Sequence, residues 1–143
     1  MKASDFVRVP LTAAALVALV HGAAFAEMLE LETQLSGANE VPPNDSGASG
    51  SAQATLDTET GKLTYKIMFE GLSGPVMGAH LHGPVGESGN AGILVPFESG
   101  ESPIEGEVQL SETQIGDVTG GLSYVNIHTE QYPGGELRGQ LKR

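Results

Sequence analysis

Hydrophobic and polar residues alternate strictly over residues 62–70, the most regular stretch of the chain. Every second residue there is apolar, namely Leu63, Tyr65, Ile67 and Phe69. A period of two places these side chains on one face of an extended strand, and Lys62, Thr64, Lys66, Met68 and Glu70 on the other. The stretch therefore predicts a β-strand with one buried and one solvated face.

The same period recurs elsewhere in the chain. Leu29, Leu31 and Leu35 alternate with Glu30, Glu32 and Gln34 over residues 29–35, and residues 52–56 alternate Ala or Leu with Gln or Thr. Five further short strands are predicted at 77–82, 92–97, 106–110, 122–128 and 136–141, separated by segments rich in Gly, Pro, Ser and Asn. About eight short strands at this spacing predict an all-β fold, an antiparallel Greek-key β-sandwich or barrel.

Two segments depart from the strand pattern. Residues 111–120 predict one short helix, because Ser111 and Gln114 have capping-box spacing and Gly120 follows as a stop signal. Residues 41–50, with the sequence VPPNDSGASG, predict a loop.

The first 26 residues resemble an export signal. Lys2 and Arg8 give a positive start, residues 11–20 are mostly apolar, and Ala24-Phe25-Ala26 has the small-x-small pattern of a cleavage site. The apolar run is too short to span a bilayer stably, although an uncleaved anchor is the alternative. We expect a signal peptide over 1–26 and one domain over 27–143, located in the periplasm or secreted, with no membrane association after cleavage.

Composition narrows the chemistry available to this domain. The 143 residues carry 7 Lys plus Arg and 18 Asp plus Glu, for a formal net charge of −11, and no Cys. Such a charge disfavours nucleic acids and anionic lipids as partners. Without Cys there is no disulfide framework and no thiol nucleophile, so His, carboxylates, Arg, hydroxyls and backbone groups remain.

Three histidines remain after the predicted signal peptide, and all three fall on polar faces of predicted strands. His80 and His82 alternate with Leu81, and His128 lies opposite Val125 and Ile127. On a strand, His80 and His82 project from the same face about 7 Å apart. Neighbouring strands could bring the three imidazoles to one point outside the core.

Three neutral imidazoles are a ligand set that suits copper, or zinc, with one coordination position left open. The plainer interpretation is a polar His pair at a strand end, with His128 capping its own strand. The spacing alone leaves both interpretations open, since a His-x-His pair is a moderately specific signal.

Four blocks of sequence resemble a known family. They are LSGANEVPP at 35–43, AHLHGP at 79–84, YVNIHT at 124–129 and PGGELRGQL at 133–141. In this order they closely resemble the chordin-type domain, called CHRD, which occurs singly in many exported bacterial proteins. The resemblance covers essentially all of residues 29–141. It implies a β-sandwich domain that presents loops to a protein partner.

The chain is also similar, more weakly, to the copper-zinc superoxide dismutases. The strand with His80 and His82, the later strand with His128, and the Gly-rich turn leading to Arg138 match three elements of their copper site. This likeness implies His80, His82 and His128 as copper ligands and Arg138 near the open position, where it would attract an anion. The second metal site and the disulfide of those enzymes have no counterpart here.

Other side chains have simpler interpretations beside their functional ones. Arg138 lies close in sequence to Glu136, so a surface ion pair is its plain structural role. Glu130 and Glu136 could accept an imidazole N–H next to a metal site. Nucleotide, serine-hydrolase and zinc-peptidase motifs are absent from the sequence.

Three functions follow from these observations. The first is an exported protein that binds or handles one copper ion, with zinc as the other candidate metal. The second is a metal-free interaction module of CHRD type with a protein partner. The third is a copper-only redox enzyme similar to superoxide dismutase, in which Arg138 would be catalytic.

Overall fold

The computed structural model describes residues 27–98 and 100–143. The predicted signal peptide at 1–26 lies outside the described residues. Eight strands and one α-helix follow in chain order: β1 (Met28–Ser36), β2 (Ser49–Asp57), β3 (Lys62–Glu70), β4 (Gly78–His82), β5 (Ile93–Pro96), β6 (Ile104–Gln109), α1 (Glu112–Thr119), β7 (Tyr124–His128) and β8 (Leu137–Gln140). The prediction of an all-β fold of about eight strands is confirmed.

All eight strands belong to one antiparallel sheet, in the order β5-β4-β7-β8-β1-β2-β3-β6. The sheet consists of two four-stranded halves that meet at the β1–β8 junction. There Ser36 pairs with Arg138, and Glu32 forms an isolated bridge with Lys142. Ladders of three to nine residue pairs join neighbouring strands within each half, whereas one pair and one isolated bridge join the halves.

One hydrophobic core lies between the two halves. It takes alternate residues from strands of both, among them Leu31, Leu56, Ile67, Leu81, Ile127 and Leu137. On the side opposite the junction, the rings of Tyr65 and Phe97 contact each other with centroids 4.3 Å apart. The sheet therefore curls into a nearly closed, barrel-like sandwich.

The helix forms where the sequence predicts it. Ser111 accepts a hydrogen bond from the Gln114 backbone N–H, and the Gln114 side chain accepts one from the Ser111 backbone N–H. This reciprocal pair satisfies N–H groups that the first helical turn leaves free. Among the described residues, no helix is long and apolar enough to cross a membrane.

Several predicted boundaries were wrong by one to three residues, and two of them lie opposite β3. The 41–50 segment is a loop only as far as residue 48, because Ser49 and Gly50 already pair with Glu70 and Phe69 of β3. Strand β6 begins at Ile104, two residues before the predicted start. In both cases the nine-residue strand β3 pairs with residues that show no regular alternation of apolar and polar side chains, so the observed strand is longer than the predicted one.

Candidate metal centre

Strands β4 and β7 lie side by side and carry the three histidines on one face. Their antiparallel register pairs Gly78 with His128, His80 with Asn126, and His82 with Tyr124. The intervening residues Ala79, Leu81, Val125 and Ile127 are buried in the core. The predicted orientation of the histidines is therefore confirmed, and the sheet topology brings His80, His82 and His128 together, hereafter the triad.

The triad imidazoles are close enough to share one ion. Ring centroids are separated by 4.9 Å for His80 and His128, 5.4 Å for His80 and His82, and 5.8 Å for His82 and His128. One potential ligand atom from each residue lies within 4.8 Å of the other two. Nitrogens that bind one ion at about 2.0–2.1 Å each lie about 3–4 Å apart, so small ring movements within this bound bring the triad to a metal-binding geometry.

One nitrogen of each triad ring is buried without a hydrogen-bond partner. Within the described part of the chain, these atoms are Nδ1 of His80, Nε2 of His82 and Nε2 of His128. A buried polar atom left without a partner costs about 1–3 kcal/mol, so native structures rarely keep several at one point. Because the three rings also lie within reach of one another, the triad is a donor set in need of a shared acceptor of electron pairs.

Backbone carbonyls orient two of the rings. His82 Nδ1 lies 2.9 Å from the Ala91 carbonyl oxygen, and His128 Nδ1 lies 3.0 Å from that of Pro133. A carbonyl only accepts, so each of these Nδ1 atoms donates a proton and each Nε2 keeps its lone pair. Metal-binding histidines are commonly fixed in this way by a partner behind the ring.

The site also favours neutral imidazoles at His80 and His82. Burial lowers the pKa of His80 below its usual 6.5, and the adjacent charges of His128 and His82 lower it further. Burial is likewise the main cause that lowers the pKa of His82, against the hydrogen bond that His82 donates to the Ala91 carbonyl, which raises it. Neutral imidazole is the form that binds metals.

His80 lacks a carbonyl behind its ring and rests against Gly78 instead. A Cβ built on Gly78 would lie 3.0 Å from Cε1 and 3.3 Å from Nε2 of His80. Any side chain at position 78 would therefore push the His80 ring by a few tenths of an ångström. The glycine in the Gly78-Ala79-His80 sequence leaves the space that this ligand occupies.

The Tyr124 ring separates Arg138 from His82. Arg138 is only 1% exposed, and its guanidinium lies 3.6 Å from the centroid of the Tyr124 ring. Tyr124, on the strand between, stacks on His82 with centroids 5.0 Å apart and an interplanar angle of 7°. The guanidinium N–H groups of Arg138 donate to Asn90, Gly86 and Gly89. The interpretation of Arg138 as one partner of a surface ion pair with Glu136 was therefore wrong.

Glu136 is also buried, but it does not accept an imidazole N–H. Its carboxylate accepts hydrogen bonds from the hydroxyls of Ser46, Ser73 and Thr129. These bonds lower the pKa of Glu136 against the opposing effect of burial. Glu136 therefore ties the 129–136 loop between β7 and β8 to two other segments of the chain, while Glu130 is exposed.

No sequence pattern indicated the groups that orient the rings. The carbonyls of Ala91 and Pro133 belong to loop residues whose side chains carry no chemistry, so no residue pattern marks them. Glu40 is a further buried group beside the site, with Oε1 accepting a 2.6 Å hydrogen bond from Asn126. Its place in the ANEVPP block was its only signal.

Comparisons with known proteins agree with the sequence blocks. A family model described as "CHRD domain" matches residues 31–141. The chain is similar to Chordin of Xenopus laevis, with 32% identity over 134 residues, and to Chordin of Danio rerio, with 29% identity over 123 residues. These alignments cover 86% and 78% of this chain but 14% and 13% of the relatives, so the chain spans about one seventh of their length. No solved structure matches the chain significantly.

Proposed function

Since the chain belongs to the CHRD domain family, we propose that it is an exported CHRD module that binds one metal ion, in the first instance copper, through His80, His82 and His128. The observation that carries the proposal is the set of three buried, unpartnered nitrogens on the triad. A single proton satisfies at most two of these lone pairs. A metal ion accepts all three at once.

Copper is the metal that this ligand set favours. Imidazole nitrogens bind divalent metals in an order that peaks at copper, and the triad includes no carboxylate or thiolate that would favour a harder or softer ion. Zinc also accepts three imidazoles, with water in the fourth position. Export to the periplasm or beyond is supported by the signal-like pattern at 1–26.

A metal-free interaction module is the second candidate function. The similarity to two chordins favours an interaction module, because the similarity covers most of this chain and extends well beyond the triad. Several residues of the family blocks also serve the framework: the Asn39 side chain donates to the Arg138 carbonyl, and Glu136 joins three hydroxyls. Such a framework would hold loops in place for a protein partner with or without a metal.

The redox alternative has less support than either. It requires a cation that draws an anion to the open position, whereas the Arg138 guanidinium is buried against Tyr124 and already donates to the 83–92 loop. Within the part of the chain that the structure describes, the triad is the one structural feature that still favours a redox function.

Calorimetric titration with Cu(II) and with Zn(II) tests the proposal. We expect one ion per chain for the parent protein, a tighter complex with copper than with zinc, and loss of this site in each of His80→Ala, His82→Ala and His128→Ala. Glu130→Gln is the matched control, because it removes an exposed carboxylate two residues from His128 and reports binding to the acidic surface. Equal binding by the parent and the triple alanine variant would leave the interaction module as the function.

A further inference from the structure

We propose that Arg138 is a positioning residue for His82, which it holds in the metal-binding orientation through the 83–92 loop and through the Tyr124 ring. Its effect on metal binding rests on the proposed function, whereas its effect on the His82 ring does not. This role differs from the one that the dismutase likeness implies, because the guanidinium acts from behind the ligand and contacts no substrate.

The first connection runs through the loop. Arg138 donates from one terminal nitrogen to Asn90 Oδ1 at 2.9 Å and from the other to the carbonyls of Gly89 at 2.7 Å and Gly86 at 3.3 Å. The next residue, Ala91, supplies the carbonyl that accepts the Nδ1 proton of His82. The guanidinium thus fixes the loop immediately before the atom that determines the His82 tautomer.

The second connection runs through Tyr124. The guanidinium covers the Tyr124 ring at 3.6 Å, and the ring stacks on His82. The Tyr124 hydroxyl also accepts a 3.3 Å hydrogen bond from the Ala91 backbone N–H. Loop and ring therefore meet at Ala91, and a rotation of the His82 imidazole would break the stack and the Nδ1 hydrogen bond together.

The burial of Arg138 has no stabilising ion pair to explain it. Among the described residues, no carboxylate lies within 4.0 Å of its guanidinium, and its acceptors are two carbonyls and one amide oxygen, all neutral. The charge of Arg138 acts on the carboxylates of Glu40 and Glu87 only from beyond ion-pair distance, and burying a cation without a direct partner costs free energy. A planar guanidinium offers several donors in fixed directions and stacks on an aromatic face, which lysine does not. The geometry suits holding a loop and a ring at the same time.

His128 provides an internal control. Its Nδ1 also donates to a loop carbonyl, that of Pro133, but this 129–136 loop is held by Glu136 with Ser46, Ser73 and Thr129. Loss of the Arg138 guanidinium should therefore change the tautomer of His82 and leave that of His128 unchanged.

The test is long-range ¹H–¹⁵N correlation of the metal-free protein at pH 8, which reports the tautomer of each imidazole. In the parent we expect His82 and His128 as Nδ1–H tautomers. In Arg138→Lys we expect His82 to become a mixture while His128 is unchanged. Asn90→Ala, which removes one loop acceptor and keeps the guanidinium, should act in the same direction to a smaller extent and decides the matter if Arg138→Lys does not fold. Arg143→Lys, on the surface, should change neither ring.

Titration with zinc alone supplies the second measurement. Removal of a partner behind a metal ligand typically costs about 10–100-fold in affinity, and we expect a loss in this range for Arg138→Lys. An Nδ1–H tautomer retained at His82 in both folded variants would overturn the inference, as would equal changes at His82 and His128. If the parent binds no zinc or copper, the proposed function fails, and the tautomers alone decide the role of Arg138.

Discussion

At the scale of single residues, the triad depends on groups that lie behind it. His82 and His128 present Nε2 to the centre of the triad because their Nδ1–H groups donate hydrogen bonds to backbone carbonyls. His80 fits because Gly78 has no side chain. The alternation of the sequence predicted which face the histidines occupy. It could not predict these partners, because a carbonyl is present at every residue and only the folded loop selects one.

The burial of Arg138 is a second feature of single residues that the sequence pattern did not predict. Charge and sequence proximity to Glu136 indicated a surface ion pair, since most arginines are exposed. The fold instead buries both side chains and gives each its own set of neutral partners. Burial of a charged residue depends on long-range packing, which a single-sequence pattern does not contain.

Glu40 gives a prediction about pH. Burial raises the pKa of Glu40 from 4.5 to about 7, although the Asn126 hydrogen bond and the positive charge of Arg138 lower it. Because the folded state binds this proton more tightly, the stability it contributes is present below pH 4.5 and is lost as pH rises to about 7. Relative to Glu40→Gln, the metal-free parent should lose about 1–3 kcal/mol of unfolding free energy between pH 5 and pH 8.

Urea unfolding of both proteins at the two pH values measures this difference. Glutamine keeps the shape of the side chain and an oxygen that accepts from Asn126, so a constant offset between the two proteins cancels in the comparison. Parallel pH profiles would show that Glu40 does not carry a raised pKa.

At the scale of elements, the site requires that β4 and β7 lie side by side. Each strand is visible in the sequence as a short alternating run, but some forty residues separate them. Their pairing follows from the path of the chain between the two halves of the sheet. The sequence therefore predicted the strands and their faces, while the meeting of the histidines came from topology.

Helix α1 contributes to this arrangement through its capping box. The Ser111 hydroxyl accepts from the Gln114 N–H, and the Gln114 side chain also donates to the Leu94 carbonyl in β5. Ser111→Ala should lower the unfolding free energy by about 1 kcal/mol, the usual cost of a lost cap. Thr113→Ala, an exposed change within the same helical turn, is the control for chemical denaturation. Equal stability of the two variants would contradict a stabilising cap.

At the scale of the whole molecule, the β1–β8 junction joins the two halves of the sheet. Gly139 lies within it, and an added Cβ would approach the Gln34 carbonyl oxygen to 2.5 Å and Thr33 Oγ1 to 2.6 Å. The halves meet this closely only because position 139 has no side chain. Gly139→Ala should therefore separate backbone from backbone and lower the unfolding free energy by about 1–3 kcal/mol.

Thermal unfolding checks this prediction. Gly134→Ala is the matched control, because nothing lies within 4 Å of its added Cβ, and we expect a change within about 0.5 kcal/mol. A Gly139→Ala protein as stable as the control would mean that the junction tolerates separation and does not define the assembly of the halves.

The acidic charge of the whole chain also affects metal binding. With a net charge of −11, the surface attracts cations without selecting among sites. Stoichiometry alone therefore does not identify the triad as the bound site, and a measurement that locates the ion is required.

Anomalous diffraction at the copper edge, from crystals of the protein grown with one equivalent of Cu(II), tests the central claim most directly. We expect a single strong peak about 2.0 Å from Nδ1 of His80, Nε2 of His82 and Nε2 of His128. A peak held by surface carboxylates, or density at the triad with no anomalous signal, would contradict it.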